Sequence, residues 1–312
     1  MNLPNRAVLC EVGLRDGLQS EARLLSFEQK AALAHAVVAA GFQVVELGSF
    51  VSPKAVPQMA DTDALFEAFR DVPGVELRAL VANVKGVERA RQCGCKKIKL
   101  NVSASAVHNK RNLNCTPRES VARFAECEQA AKAAGIALSG SISMPFGSPW
   151  EERIEPEDVL DLVEAYRTIG VEEISLSDTA GLAVPTQVRA LCARVRQAFP
   201  GVMLWMHFHN TRGLALANIF AALEEGITHF DASFAGLGGC PFVPGAAGNV
   251  ATEDVVHMLG GMGIETGVDW DACIRAGQTA AAYFGHSASY MLDVIARGGA
   301  CEGNQKEGAC KN

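Results

Sequence analysis

His207 and His209 stand two residues apart in the run Trp205-Met206-His207-Phe208-His209-Asn210. On a β-strand, residues two apart point to one face, so both imidazoles would share a side. Two imidazoles on one side commonly hold a divalent metal, and a hydrogen-bonded structural pair is the competing reading. Asp16 lies in Gly13-Leu14-Arg15-Asp16-Gly17-Leu18-Gln19, and Asn249 follows Gly248. A carboxylate and an amide oxygen beside two imidazoles leave open positions for water and substrate. Such an oxygen-rich set suits Mg²⁺ or Mn²⁺, and the imidazoles would also accept Zn²⁺ or Fe²⁺. Arg15, next to the acid, is placed to stabilise a developing oxyanion. Cys240, in the loop Gly238-Gly239-Cys240-Pro241, offers a thiol that could protonate a carbanion.

These residues need elements to carry them. Short β-branched runs alternate with longer Ala/Leu/charged segments. The strand-like runs are Ala7–Val12, Gln43–Leu47, Glu76–Ala82, Lys97–Val102, Ile136–Ser143, Glu173–Leu176, Met203–Phe208 and His229–Phe234. Helical patterns fill the gaps, several opening at a proline (Pro117, Pro156, Pro185) and several stopping before a glycine (Gly41, Gly135, Gly170, Gly226). Strand–helix alternation implies parallel pairing, and eight such units predict a (β/α)₈ TIM barrel of the α/β class. Additional C-terminal helices are expected after it, with the barrel over 1–267, a helical extension over 268–298 and a mobile tail over 299–312. Cys301 and Cys310 on that tail read as inert thiols.

Barrel enzymes keep their chemistry at the C-terminal strand ends. That rule gathers Arg15, Asp16 and Gln19 from strand one, Glu46 and Ser49 from strand two, Ser175 and Asp178 from strand six, the histidine pair from strand seven, and Cys240 and Asn249 from the last loops. The chain has 312 residues, 49% of them hydrophobic, with a net charge of -7. That balance gives no electrostatic footprint for nucleic acid. No apolar run reaches the ~20 residues of a membrane helix, and the start lacks the pattern of a signal peptide. Ten scattered cysteines read as reduced thiols of a cytoplasmic protein.

Taken together, Gly-Leu-Arg-Asp-Gly-Leu-Gln, Ser49-Phe50-Val51-Ser52-Pro53-Lys54, His207/His209 and the Gly238-Gly239-Cys240-Pro241 to Gly248-Asn249 loop resemble the 3-hydroxy-3-methylglutaryl-CoA lyase family. The resemblance runs collinearly from Val8 to about Gly267. It implies a metallolyase that cleaves a 3-hydroxyacyl-CoA to acetyl-CoA and a keto acid. Asp16, His207, His209 and Asn249 would then hold Mg²⁺ or Mn²⁺, Arg15 would stabilise the enolate, and Cys240 would protonate it. Glu46 would belong to the network behind Arg15, and Ser175 and Asp178 would line the substrate pocket, with Gln19 and Ser49 also on the substrate side. A homodimer is implied as well. CoA carries several negative charges, so Lys54, Lys110, Arg111 and Arg153, read in loops after strands, are candidate contacts.

The fifth strand departs from the family. Relatives resemble Arg-Gly-Tyr-Val-Ser-Cys there, and this chain reads Ser139-Gly140-Ser141-Ile142-Ser143-Met144. Loss of the two large polar groups predicts a wider pocket and a bulkier or different acyl group. A condensing synthase of the isopropylmalate or homocitrate type, or a metal aldolase, shares Arg-Asp-Gly and His-x-His. The synthases carry a Gly-Glu-Arg type loop where this chain has Cys240-Pro241. A binding protein on a dead barrel is the remaining alternative.

Overall fold

The computed structural model describes residues 3–150, 153–239 and 248–307, with residues 299–307 as backbone alone. Eight parallel strands close on themselves in chain order. They are β1 Val8–Glu11, β2 Val44–Ser49, β3 Glu76–Val81, β4 Lys97–Ser103, β5 Ala137–Ser143, β6 Glu173–Asp178, β7 Met203–Phe208 and β8 His229–Ala232. The closure joins the first barrel strand to the eighth, with Val8 in register with His229 and Glu11 with Ala232.

The helices are α1 Phe27–Ala39, α2 Thr62–Ala68, α3 Val84–Gln92, α4 Ala106–Leu113, α5 Pro117–Ala133, α6 Pro156–Thr168, α7 Pro185–Ala198, α8 Ala215–Glu224, α9 Thr252–Gly261, α10 Trp270–Phe284 and α11 Tyr290–Glu307. Prolines occupy the first turns of α5, α6 and α7. Their missing N–H costs nothing there, because first-turn donors have no intrahelical acceptor. Gly41, Gly135, Gly170 and Gly226 all take the positive φ anticipated for left-handed caps. The helical stretch expected after Trp270 is two helices, broken where Gly285 ends α10 in the left-handed conformation. The Asp254 carboxylate of α9 starts the second one, accepting from the Ser289 hydroxyl and from the Tyr290 and Met291 amides.

The sequence reading omits α4. Its Val-His-Asn-Lys-Arg-Asn run has almost no apolar periodicity. The helix forms because Ser105 caps its start by accepting from the His108 amide, and Asn114 ends it at φ 54°.

Helices wrap the strands through one large apolar core between the two layers. Inside the barrel a smaller cluster of Cys10, Val12, Val44 and Trp205 forms the floor. The buried Arg78 guanidinium lies 4.4 Å over the Trp205 ring and pairs with Glu173 at 2.6 Å, which also takes Lys97 at 2.6 Å. These side chains fill the lower part of the barrel interior below its C-terminal mouth.

Tyr166 of α6 ties β4 to β5. Its buried hydroxyl lies 2.9 Å from the Leu100 carbonyl and 3.1 Å from that of Ser141. A Cβ on Gly140 would stand 2.9 Å from the Tyr166 ring, so the strand can approach the ring this closely only with glycine there. Tyr166→Phe is expected to lower unfolding free energy by about 1 kcal/mol, the usual worth of one buried hydrogen bond. Urea denaturation would read that loss as a shift in midpoint at constant slope.

Candidate active site

A single π-helical turn, Gly13–Gly17, follows β1 and carries Arg15 and Asp16 onto the rim. Wide turns of this kind recur at functional sites because they re-aim side chains. The turn is held from below by Glu11, whose buried carboxylate accepts from the Gly13 amide at 2.7 Å and the Phe234 amide at 3.0 Å. The same carboxylate meets the Thr252 hydroxyl at 2.6 Å. One side chain thus secures the strand-one turn, the segment after β8 and the start of α9. Burial pushes the Glu11 pKa up to about 8, against the lowering effect of those bonds.

His207 at the end of β7 and His209 just beyond it face Asp16 Oδ2 through Nε2 at 3.7 and 3.6 Å. These separations are too long for hydrogen bonds. The three side chains present ligand atoms that all lie within 4.8 Å of one another. Asn249, nearly fully buried, donates from Nδ2 to Asp16 Oδ2 at 2.9 Å and to the Leu237 carbonyl at 3.0 Å. It braces Asp16 through nitrogen in this arrangement, and ligation through its oxygen calls for the amide to turn over. Gly238, at φ 98°, allows the contact, since a Cβ there would stand 2.5 Å from Asn249 Nδ2 and 2.8 Å from the Asp16 carbonyl.

Behind this cluster runs a chain of buried charges. Arg15 pairs with Asp16 at 2.6 Å and, through Nε, with Glu46 of β2. Glu46 takes the Lys99 ammonium of β4 at 2.6 Å. Lys99 also reaches Asp231 of β8 at 3.4 Å, and Asp231 lies 3.2 Å from His207 Nδ1. The path returns to Asp16, closing a ring of six side chains. Burial opposes the charge of Asp16, but Arg15 and then the histidines hold its carboxyl well below the usual range. Glu46 is held low against burial by Arg15 and Lys99. Asp231 is held at about 2, burial again opposing and Lys99 leading the attraction. Three ionised carboxylates therefore face two fixed cations, Arg15 and Lys99, leaving a surplus of negative charge at the mouth. That surplus, with two imidazole nitrogens aimed at one carboxylate oxygen, fits a divalent cation. The Asp231–His207 contact is the usual way a carboxylate orients a ligating imidazole.

Arg15, Asp16, Gln19, His207 and His209 all line one cavity of about 480 Å³ at the mouth. Glu46 lies behind it, fully buried. Three residues expected to line it do not. Ser49 is fully buried, its hydroxyl donating to the Leu80 carbonyl at 3.2 Å. Asp178 turns away and accepts from the Leu182 and Ala183 amides at 2.9 and 3.1 Å, tying the loop after β6. Ser175 sits one strand layer lower, its hydroxyl 3.4 Å from that of Ser177. Ser177 lines the cavity in their place. Cys240 lies outside the described residues, as do Cys310 and the side chain of Cys301. Lys54 and Arg153 occupy exposed loops after β2 and β5, whereas Lys110 and Arg111 stand on α4 rather than in a loop. Arg111 lies 4.6 Å over the Trp150 ring.

The serines of β5 open a polar recess beside the cluster. Ser141 and Ser177 hydroxyls lie 2.9 Å apart, and Ser143 donates to Asn101 Oδ1 at 2.8 Å. Lys99 and Asp231, which the sequence reading passes over, also line the cavity.

The sequence matches the HMGL-like family model over residues 6–279. The chain is 43% identical over 287 residues to the 3-hydroxy-3-isohexenylglutaryl-CoA/hydroxy-methylglutaryl-CoA lyase of Pseudomonas aeruginosa, covering 92% of this chain and 96% of the relative. The crystal structure of a Pseudomonas aeruginosa hydroxymethylglutaryl-CoA lyase superposes with a TM-score of 0.92 at 42% identity, over 95% of this chain and 99% of that one. An HMG-CoA lyase from Acinetobacter baumannii, in complex with coenzyme A and 3-methylmalate, superposes with a TM-score of 0.88 at 38% identity, over 94% and 96%. With its rim cluster carried on a closed eight-stranded barrel, the chain belongs to the HMGL-like family and is a carbon–carbon lyase.

Proposed function

We propose that the protein cleaves 3-hydroxy-3-methylglutaryl-CoA, or a related 3-hydroxyacyl-CoA, into acetyl-CoA and a keto acid such as acetoacetate. The observation that carries this reading is the convergence of Asp16, His207 and His209 within 4.8 Å beside the Arg15 guanidinium. Asp16, His207 and His209, with Asn249 after its amide turns, would hold Mg²⁺ or Mn²⁺. Such a cation supplies Lewis acidity toward the substrate's oxygens. Arg15, fixed by Glu46 and Asp16, offers a preorganised cation to the enolate oxygen that develops as the carbon–carbon bond breaks. Cys240 is the proposed donor of the proton that the enolate carbon then takes. Lys54, Lys110, Arg111 and Arg153 are the proposed basic contacts of the CoA phosphates. We place the enzyme in the cytoplasm as a homodimer. No described helix is long and apolar enough to cross a membrane.

The Ser141–Ser177 and Ser143–Asn101 recess favours a second substrate reading, an acyl group bulkier than hydroxymethylglutaryl. An assay of hydroxymethylglutaryl-CoA cleavage with added Mg²⁺ or Mn²⁺ separates the two. Robust formation of acetoacetate and acetyl-CoA, collapsing in Cys240→Ala, supports the first reading. Slow turnover of that thioester beside fast turnover of bulkier 3-hydroxyacyl-CoAs supports the second. Absence of turnover with every thioester would sink both.

A further inference from the structure

We infer that Lys99 is a positioning residue that sets the spacing between the Arg15 side and the histidine side of the site. The inference rests on the reading that Asp16, His207 and His209 hold a divalent cation. Lys99 is 4% exposed, and its ammonium meets Glu46 at 2.6 Å and Asp231 at 3.4 Å. Neither acid reaches into the rim cluster as a ligand. Each instead holds a residue that does stand there, Glu46 gripping Arg15 and Asp231 orienting His207 through Nδ1. These two supports come from β2 and β8, strands that flank β1 on opposite sides. Lys99 arrives from β4 across the barrel interior and is their shared counter-charge.

Without that ammonium, two buried carboxylates on opposite sides of β1 lose the group that draws them to one point. Arg15 still grips Glu46, but Asp231 keeps no lysine partner and His207 loses a fixed reference for its ring. The expected consequence is a poorly oriented ligand rather than an unfolded barrel. Lys99 is in register with Ser139 on β5, so the neighbouring strand offers a position at the same height and on the same face for a replacement cation.

The test is Mn²⁺ binding to chelator-stripped protein, measured without substrate. Lys99→Met is expected to bind Mn²⁺ about 10–100-fold more weakly, the usual effect of losing a partner behind a metal ligand. Lys99→Arg should stay near the wild-type affinity, since it keeps the charge. Exchanging the positions, Lys99→Ser with Ser139→Arg, should recover most of the loss. A folded Lys99→Met protein with wild-type affinity would overturn the inference. So would equal weakening in Lys99→Met and Lys99→Arg, because packing rather than charge would then be at work. Should Lys99→Met fail to fold, the exchanged protein decides, with recovered affinity supporting the inference and a persistent loss refuting it. A wild-type protein that binds no Mn²⁺ would instead remove the metal reading underneath, and that outcome is visible in the wild-type measurement alone.

Discussion

Arg15→Met is expected to lower kcat for carbon–carbon cleavage by about 10²–10³-fold, the effect of deleting one preorganised donor to a developing oxyanion. The guanidinium is held at both ends, by Glu46 and by Asp16 at 2.6 Å, so it spends no reorganisation energy as charge appears on the substrate. Methionine fills similar volume with no charge. The loss should therefore appear in kcat, while KM moves little and Mn²⁺ affinity stays within severalfold, because Asp16, His207 and His209 remain. A comparable fall in Mn²⁺ affinity would show that Arg15 acts mainly by holding Asp16 in place. Stability should fall too, since Glu46 would keep only Lys99 as partner in a fully buried setting. Breaking one side of a buried pair costs about 3–5 kcal/mol, and the remaining lysine should keep the loss toward the low end.

Asp16→Asn should have the larger effect on the cation. The substitution is nearly isosteric, yet it removes the only carboxylate among the clustered donor residues. It also breaks the Arg15 pair and replaces an acceptor facing the Asn249 amide with a group of mixed polarity. Mn²⁺ affinity is expected to fall further than the about 10–100-fold typical of a lost supporting partner. Cleavage should vanish with it at any Mn²⁺ concentration the wild type saturates. Titration calorimetry with Mn²⁺ on the stripped protein, beside the thioester assay, checks both parts. An Asp16→Asn protein that binds Mn²⁺ normally would exclude Asp16 as a ligand.

How much of this was legible in the chain depends on whether a signal was local. Met203–Phe208 is a strand in the sequence reading and in the structure alike, because its apolar run is bounded by clear turn residues. The glycine stops and proline starts also follow from chemistry within a single turn. The rim rule located Asp16 and the two histidines, since all three stand at strand ends and point inward. Ser49 and Asp178 also stand at strand ends, yet their side chains aim elsewhere, because position at a strand end does not fix a side chain's direction. Asp178 is consumed by two loop amides, and Ser49 by the carbonyl of the next strand. Lys99 was missed for a different reason. A lysine in a strand reads as a solvated edge, and only the closed barrel shows that its face is the interior. Its two acids come from 53 residues before and 132 residues after it, a separation no local pattern reports.

The pairing of β1 with β8 also orders events in time. Asp16 and Asn249 touch across 233 residues of chain, and Asp16 meets the histidines only when the first strand has docked against the last. Contacts of such sequence separation form late, because closing so long a loop must precede any gain from it. A ribosome delivering this chain from its N-terminus releases strand one early and strand eight near the end. The proposed donor set therefore does not exist on any partial barrel, and on that reading metal uptake during biosynthesis would report completion of the fold.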